Sequence, residues 1–130
     1  MEKRHTILLV ENDTFLNKIL VYELVQQNFD VLLAENGEEA FERLAEKKPD
    51  IMILDLMLPV KDGFEVLGEL KSNEVFKDIP VIVLSALSKD ENLERALALG
   101  AVGYFVKSDI SVPALGEKVR EFISKAEATA

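Results

Sequence analysis

The chain has 130 residues, 48% hydrophobic and 30% charged, a globular composition at a length that suits one domain over 1–130 with its core at about 5–125. Its 15 basic residues against 24 acidic ones leave a formal net charge of −9, which repels phosphate backbones and argues against nucleic-acid contact. Disulfides, thiolate metal sites and cysteine nucleophiles are excluded by the lack of cysteine; no apolar run nears the roughly 18 residues of a membrane span, and no secretory core follows Met1-Glu2-Lys3-Arg4, so no membrane contact and a cytoplasmic location are expected.

Five β-type runs alternate with five helical ones. Strand β1 is predicted over 5–10 and ends on Glu11-Asn12-Asp13, with Asp13 placed to cap helix α1 over 14–27. In α1, Phe15, Leu16, Ile19, Leu20 and Leu24 are expected in the core, while Val21, Tyr22 and Val25 make the helix apolar round most of its circumference. Those three either pack against the last helix or form a docking surface, and their solvent exposure separates the two readings. Strand β2 is predicted over 31–34; the Asn36-Gly37 turn then leads into α2 over 37–47, which Pro49-Asp50 closes. Strand β3 over 51–54 ends on Asp55, and Asp62-Gly63 opens α3 over 63–72. Ile79-Pro80 starts β4 over 81–84, at a position where proline's missing N–H is tolerated, and Ser85-Ala86 follows it. Helix α4 over 89–99 stops at Gly100, β5 over 102–106 ends on Lys107, and α5 covers 112–126. Near-continuous Val/Ile/Leu strands suit a parallel sheet covered on both faces. The alternation implies an α/β fold, a doubly wound (βα)5 sheet with right-handed crossovers.

In such a sheet, ligands gather outside the carboxyl ends of the strands. The residues there are Glu11-Asn12-Asp13, Asp55, Ser85 and Lys107. Oxygen ligands without Cys or His suit a hard cation, Mg²⁺ or in its place Mn²⁺, held by Glu11, Asp55 and a backbone carbonyl near Met57. A carboxylate beside a divalent ion and an ammonium stays ionised, as an attacking nucleophile must. Phosphoryl transfer needs mainly positioning and charge neutralisation, so Asp55, in the middle of the sheet, is the candidate nucleophile. A lone Asp at a strand end is more often a cap or turn former. That bland reading must also account for an acid after β1 and a lysine after β5.

The stretches Ile7-Leu-Leu-Val-Glu-Asn, Pro49-Asp-Ile-Met-Ile-Leu-Asp-Leu-Met-Leu-Pro-Val-Lys-Asp-Gly, Pro80-Val-Ile-Val-Leu-Ser-Ala and Gly100-Ala-Val-Gly-Tyr-Phe-Val-Lys together resemble the receiver domains of bacterial two-component response regulators, including the chemotaxis type. The resemblance runs from Ile7 to about Ile123 and brings with it the flavodoxin-like strand order 2-1-3-4-5. It implies that Asp55 accepts a phosphoryl group from a histidine kinase or a histidine phosphotransfer protein. Glu11 and Asn12 match the metal-holding acidic pair, with the Met57 carbonyl beside them. Ser85 matches the hydroxyl that binds the phosphoryl oxygen, Lys107 the lysine that pairs with it, and Tyr104 the aromatic that changes rotamer as the hydroxyl moves inward. Taken without Ser85, Tyr104 reads as a half-buried aromatic with a wet hydroxyl. The resemblance also implies a downstream protein target on the α4–β5–α5 face, a possible phosphorylation-dependent homodimer, and no independent enzymatic turnover beyond self-phosphorylation and slow autodephosphorylation.

Two positions depart from the family pattern. Asn12 stands where a second acid is usual, which predicts metal affinity lower by about a factor of ten or more; Asp13 either compensates or caps the helix. The alternative function is a phosphorylation-impaired receiver that acts as a constitutive docking module. Ser108 replaces a common proline, and since a cis Lys-Ser bond would cost ~3–4 kcal/mol, a trans bond is predicted. Met57 and Leu87, two residues beyond Asp55 and Ser85, are apolar, which predicts a long-lived phosphorylated form. A flavodoxin-like mononucleotide binder is disfavoured because Glu11-Asn12-Asp13 puts acid where the anion would sit. A dehalogenase-like phosphatase would need Asp-x-Asp after β1, which is missing. With only Ala126–Ala130 after the last helix, the chain is read as a stand-alone regulator or as a piece of a DNA-binding regulator or hybrid kinase.

Overall fold

The computed structural model describes residues 4–129. The elements run β1 (Thr6–Val10), α1 (Thr14–Gln26), β2 (Asp30–Ala34), α2 (Gly37–Glu46), β3 (Ile51–Leu54), α3 (Gly63–Ser72), β4 (Val81–Ser85), α4 (Lys89–Ala98), β5 (Gly103–Val106), one 3-10 turn at Lys107–Asp109, and α5 (Val112–Thr129). The five strands form one parallel sheet in the order β2-β1-β3-β4-β5. Every predicted element is present; β3 and α3 match at both ends, and no end is displaced by more than three residues.

Period-two alternation divides the strand residues between two cores. Leu8, Val10, Met52, Leu54, Val81 and Val83 face α2, α3 and α4, which contribute Ala40, Leu44, Phe64, Val66, Leu67, Leu70 and Ala96. Ile7, Leu9, Ile51, Ile53, Ile82 and Leu84 face α1 and α5, which contribute Leu20, Leu24, Leu115, Val119 and Ile123. Burial on both faces is why these strands lack a polar side.

The helices start where the sequence caps them. Asp13 accepts from the Leu16 N–H at 3.0 Å and Asp62 from the Glu65 N–H at 2.9 Å. Asn36 accepts from the Glu39 N–H at 2.9 Å, while Glu39 reaches back to the Glu35 N–H at 3.1 Å, a reciprocal capping arrangement. Gly100 ends α4 at φ +106, a left-handed conformation that glycine adopts without a Cβ penalty. No peptide bond among the described residues is cis, so Lys107-Ser108 is trans.

Helix α1 departs from expectation. Leu20 and Leu24 are buried and Leu16 is half-buried, but Phe15 is 77% exposed and Ile19 41% exposed, so these two are not core. The buried stripe runs through Asn17, Leu20 and Leu24 at helical spacing. A helix that is apolar nearly all round gives no phase from hydropathy alone, and packing on the sheet decides which stripe turns inward. Val21 packs partly against the core, whereas Tyr22 and Val25 are exposed at 68% and 41%. Packing on the last helix therefore does not cover these two side chains.

Candidate functional site

All five strands point the same way, so their carboxyl ends share one edge. Glu11 follows β1, Asp55 follows β3, Ser85 ends β4 and Lys107 follows β5. β5 lies two strand steps from β3, about 9–10 Å at the usual spacing, so a short side chain after β5 could not reach Asp55. Lysine spans the gap across the end of β4. Its Nζ lies 2.8 Å from Glu11 Oε1 and 3.1 Å from Asp55 Oδ2. The acids of the first and third strands and the ammonium of the fifth thus meet in one cluster.

Each carboxylate is also gripped by local backbone. Asp55 Oδ1 accepts from the Met57 N–H at 3.1 Å, and Glu11 Oε2 accepts from the Asp13 N–H at 3.1 Å. Both side chains are almost wholly buried, at 3% and 2% exposure. Burial raises the Glu11 pKa, with the Asp55 charge adding to the rise against the pull of the lysine and the Asp13 N–H. Burial alone would lower the Lys107 pKa, but its bonds to Glu11 and Asp55 raise it. Two buried carboxylates and one ammonium leave one negative charge over, which favours a cation.

The remaining predicted residues are placed differently. Asn12 is exposed beside Glu11 and takes no part in the ion-pair cluster. The Met57 side chain is exposed, and its N–H is engaged with Asp55. Ser85 is fully buried, and its Oγ accepts from the Leu87 N–H at 3.1 Å. Tyr104 is buried at 4% exposure, and its hydroxyl donates to the Leu87 carbonyl at 2.9 Å, with the Ser88 carbonyl at 3.4 Å. Desolvation raises the Tyr104 pKa, with the Asp55 charge adding to the rise and the Ser85 hydroxyl opposing it. The tyrosine is thus neither half-buried nor wet. Asp13 serves as the α1 cap.

Sequence reading missed two contributors. Gly63 reads in the sequence only as part of the opening of α3, yet a Cβ there would lie 2.3 Å from the Asp55 carbonyl oxygen and 2.5 Å from Leu56 Cα. Glycine lets the start of α3 close onto the backbone of Asp55. Asn17 is buried in α1, and its amide lies 3.4 Å from the Glu11 carbonyl, bringing the helix onto the β1–α1 loop. The available signal was a polar residue in phase with Leu20 and Leu24.

The family model of the response regulator receiver domain matches residues 7–125. The phosphate regulon transcriptional regulatory protein PhoB of Rhizobium meliloti is 36% identical over 121 residues, 93% of this chain and 53% of that protein. The chain spans about half the length of the curated relatives it matches. Among solved structures, the phosphorylated cyanobacterial phytochrome response regulator RcpA is 30% identical with a TM-score of 0.80, covering 98% of this chain and 97% of that one. The Mn²⁺-bound form of response regulator Rcp1 is 28% identical with a TM-score of 0.78, covering 91% and 93%.

Proposed function

The chain belongs to the response regulator receiver domain family, and on that premise we propose that it is a switch in which Asp55 accepts a phosphoryl group from a histidine kinase or histidine phosphotransfer protein. The observation that carries this reading is the Lys107 ammonium held between Glu11 and Asp55, at 2.8 and 3.1 Å, in a buried pocket with one uncompensated negative charge. Asp55 Oδ attacks phosphorus, the phosphorus–nitrogen bond to the donor imidazole breaks, and an acyl phosphate forms. Lys107 neutralises the new charge, and the buried Ser85 hydroxyl turns from the Leu87 N–H toward a phosphoryl oxygen. Tyr104, bonded to the Leu87 and Ser88 carbonyls, couples that movement to the loop entering α4 and so to the α4–β5–α5 face.

The oxygen donors fit a hard cation: Glu11, Asp55, the Met57 carbonyl and, with less charge, Asn12 would hold Mg²⁺ or Mn²⁺. When bound, such an ion supplies charge neutralisation and orients the phosphoryl oxygens. Helix α1 presents Phe15, Ile19, Tyr22 and Val25 to solvent, a surface suited to the phosphodonor's docking helix. Output runs to a protein target or a second copy at the α4–β5–α5 face, without nucleic-acid contact by this domain.

A second reading, the phosphorylation-impaired docking module, is favoured by one feature, the neutral exposed Asn12 outside the ion-pair cluster. Treatment with acetyl phosphate or beryllofluoride at saturating Mg²⁺, read by intact mass and by backbone amide shifts, decides between them. Modification that Asp55→Asn abolishes supports the switch; no response at any Mg²⁺ level ends the phosphorylation reading. Met57 and Leu87 offer no polar group to attacking water, so Met57→Asn or Leu87→Glu is expected to speed loss of the phosphoryl group. An unchanged decay rate would rule out that control.

A further inference from the structure

Helix α4 is fastened unevenly. At its C-terminal end, the Ala101 N–H donates to the Ala96 carbonyl at 3.0 Å and the Val102 N–H to the Val81 carbonyl at 2.8 Å. There Gly100 lies against the Lys71 stem, whose Nζ is bonded to the Lys77 and Ile79 carbonyls at 3.0 and 2.7 Å. At its N-terminal end Ser88 makes no side-chain cap. The ties there are the Tyr104 hydroxyl on the Leu87 and Ser88 carbonyls, the Asn92 amide on the Ser88 carbonyl at 2.9 Å, and the Leu87 N–H on Ser85 Oγ at 3.1 Å. Between the ends, Ala96 is the one wholly buried residue, with Leu93 and Leu99 partly buried. An element with so few buried contacts opens at low free energy.

One further contact holds the middle. The Arg95 guanidinium lies 3.8 Å from the centroid of the Phe64 ring, on α3, whose own exposure is 9%. A planar cation over an aromatic face is an attractive stack that lysine's point charge reproduces poorly. It joins α4 to the first turn of α3. Phe64 follows Gly63, the residue that closes α3 onto the Asp55 backbone.

We propose that Arg95 is a positioning residue, a clasp that holds the middle of α4 on α3, and that α4 tilts about its fastened C-terminal end when this stack opens. The stack then sets how readily the α4 part of the partner face rearranges. The inference rests on the reading of α4–β5–α5 as that face. Its test needs neither metal nor phosphoryl group, so failure here is distinct from failure of the phosphorylation reading.

The test is amide hydrogen exchange, followed by mass spectrometry, on wild type, Arg95→Ala, Arg95→Met, Phe64→Leu and the double variant Arg95→Ala/Phe64→Leu. Arg95→Ala is expected to speed exchange of the amides at 93–97 by roughly two- to fivefold, the range for an exposed stack of this kind. The amides at 99–102 and those of β3 and β4 should keep wild-type rates. Arg95→Met keeps the aliphatic stem and should behave like Arg95→Ala. The double variant should exchange no faster at 93–97 than Phe64→Leu alone, because both changes remove one contact. Wild-type rates at 93–97 in Arg95→Ala would overturn the proposal. So would uniform acceleration across the sheet, wild-type behaviour of Arg95→Met, or additive effects in the double variant. If Phe64→Leu loosens the whole fold, visible in β3 and β4, the two Arg95 variants decide alone.

Discussion

Val60 sits five residues beyond Asp55 at φ 68, with the Lys61 N–H bonded to the Pro59 carbonyl at 2.7 Å, a γ-turn-like closure in which the central residue is strained. A β-branched side chain in this region is a genuine outlier, and at 81% exposure Val60 recovers little by burial. Val60→Asn should therefore stabilise the protein by about 0.5–1 kcal/mol, since Asn tolerates the left-handed region and leaves the unfolded chain nearly as free. The check is a higher urea midpoint with an unchanged slope. Lys107 makes the opposite case. Lys107→Met strands two buried carboxylates and should cost about 2–4 kcal/mol at neutral pH, somewhat below the range for fully buried pairs because the lysine is 22% exposed. Folding raises this lysine's pKa, so above the ordinary lysine value of about 10.4 the folded state binds more protons than the unfolded one. The pairing contributes in full below that value and is lost as pH rises through the raised one. Wild type and Lys107→Met should accordingly converge in stability at strongly alkaline pH; a gap that stays constant would show that the lysine acts through packing.

At the scale of elements, two glycines of α3 answer oppositely to the same change. Gly68 has no atom within 4 Å of where a Cβ would stand, so Gly68→Ala should stabilise by about 1 kcal/mol through helix propensity and a less free unfolded chain. At Gly63 a Cβ would meet backbone, 2.3 Å from the Asp55 carbonyl oxygen, which no rotamer change relieves. Gly63→Ala should destabilise by about 1–3 kcal/mol and shift the backbone amide signals of Asp55 and Leu56, whereas Gly68→Ala leaves them in place. Thermal unfolding and amide spectra of the two variants check this. The existence and type of all ten elements were legible because strand-like and helical runs alternated clearly, with caps or breakers at Asp13, Asn36-Gly37, Pro49-Asp50, Asp62-Gly63, Pro80 and Gly100. The orientation of α1 was not legible, because Phe15, Ile19, Tyr22 and Val25 are as apolar as Leu20 and Leu24. Hydropathy sorts residues only where the two faces of a helix differ.

For the whole molecule, parallel strands deliver Glu11, Asp55 and Lys107 to one edge from points up to 96 residues apart in the chain, and the chain as a whole carries a net charge of −9. If the edge holds a divalent ion in the folded state alone, Mg²⁺ at ten times its dissociation constant should add about 1.4 kcal/mol to folding stability. An acidic protein also gains from simple screening, so the decisive comparison is with Glu11→Gln and Asp55→Asn. Loss of the Mg²⁺-dependent shift of the unfolding midpoint in both variants supports a specific ion. An equal shift in all three proteins would show screening alone.

The sequence by itself determined the α/β alternation, the cap at Asp13, the helix starts marked by Asn36-Gly37 and Asp62-Gly63, and the strand ends that carry Glu11, Asp55, Ser85 and Lys107, because each of these is written in local pattern and residue type. Tertiary structure alone decided which stripe of α1 turns inward, that Gly63 is needed for the approach of α3 to the Asp55 backbone, that Tyr104 is bonded and buried, and that Arg95 roofs Phe64. Arg95 and Phe64 stand 31 residues apart and Tyr104 and Leu87 17 apart, so no short window contains both partners of these contacts. Gly63 and Asp55 are only eight residues apart, but the irregular loop between them has no periodic pattern that specifies how closely they approach.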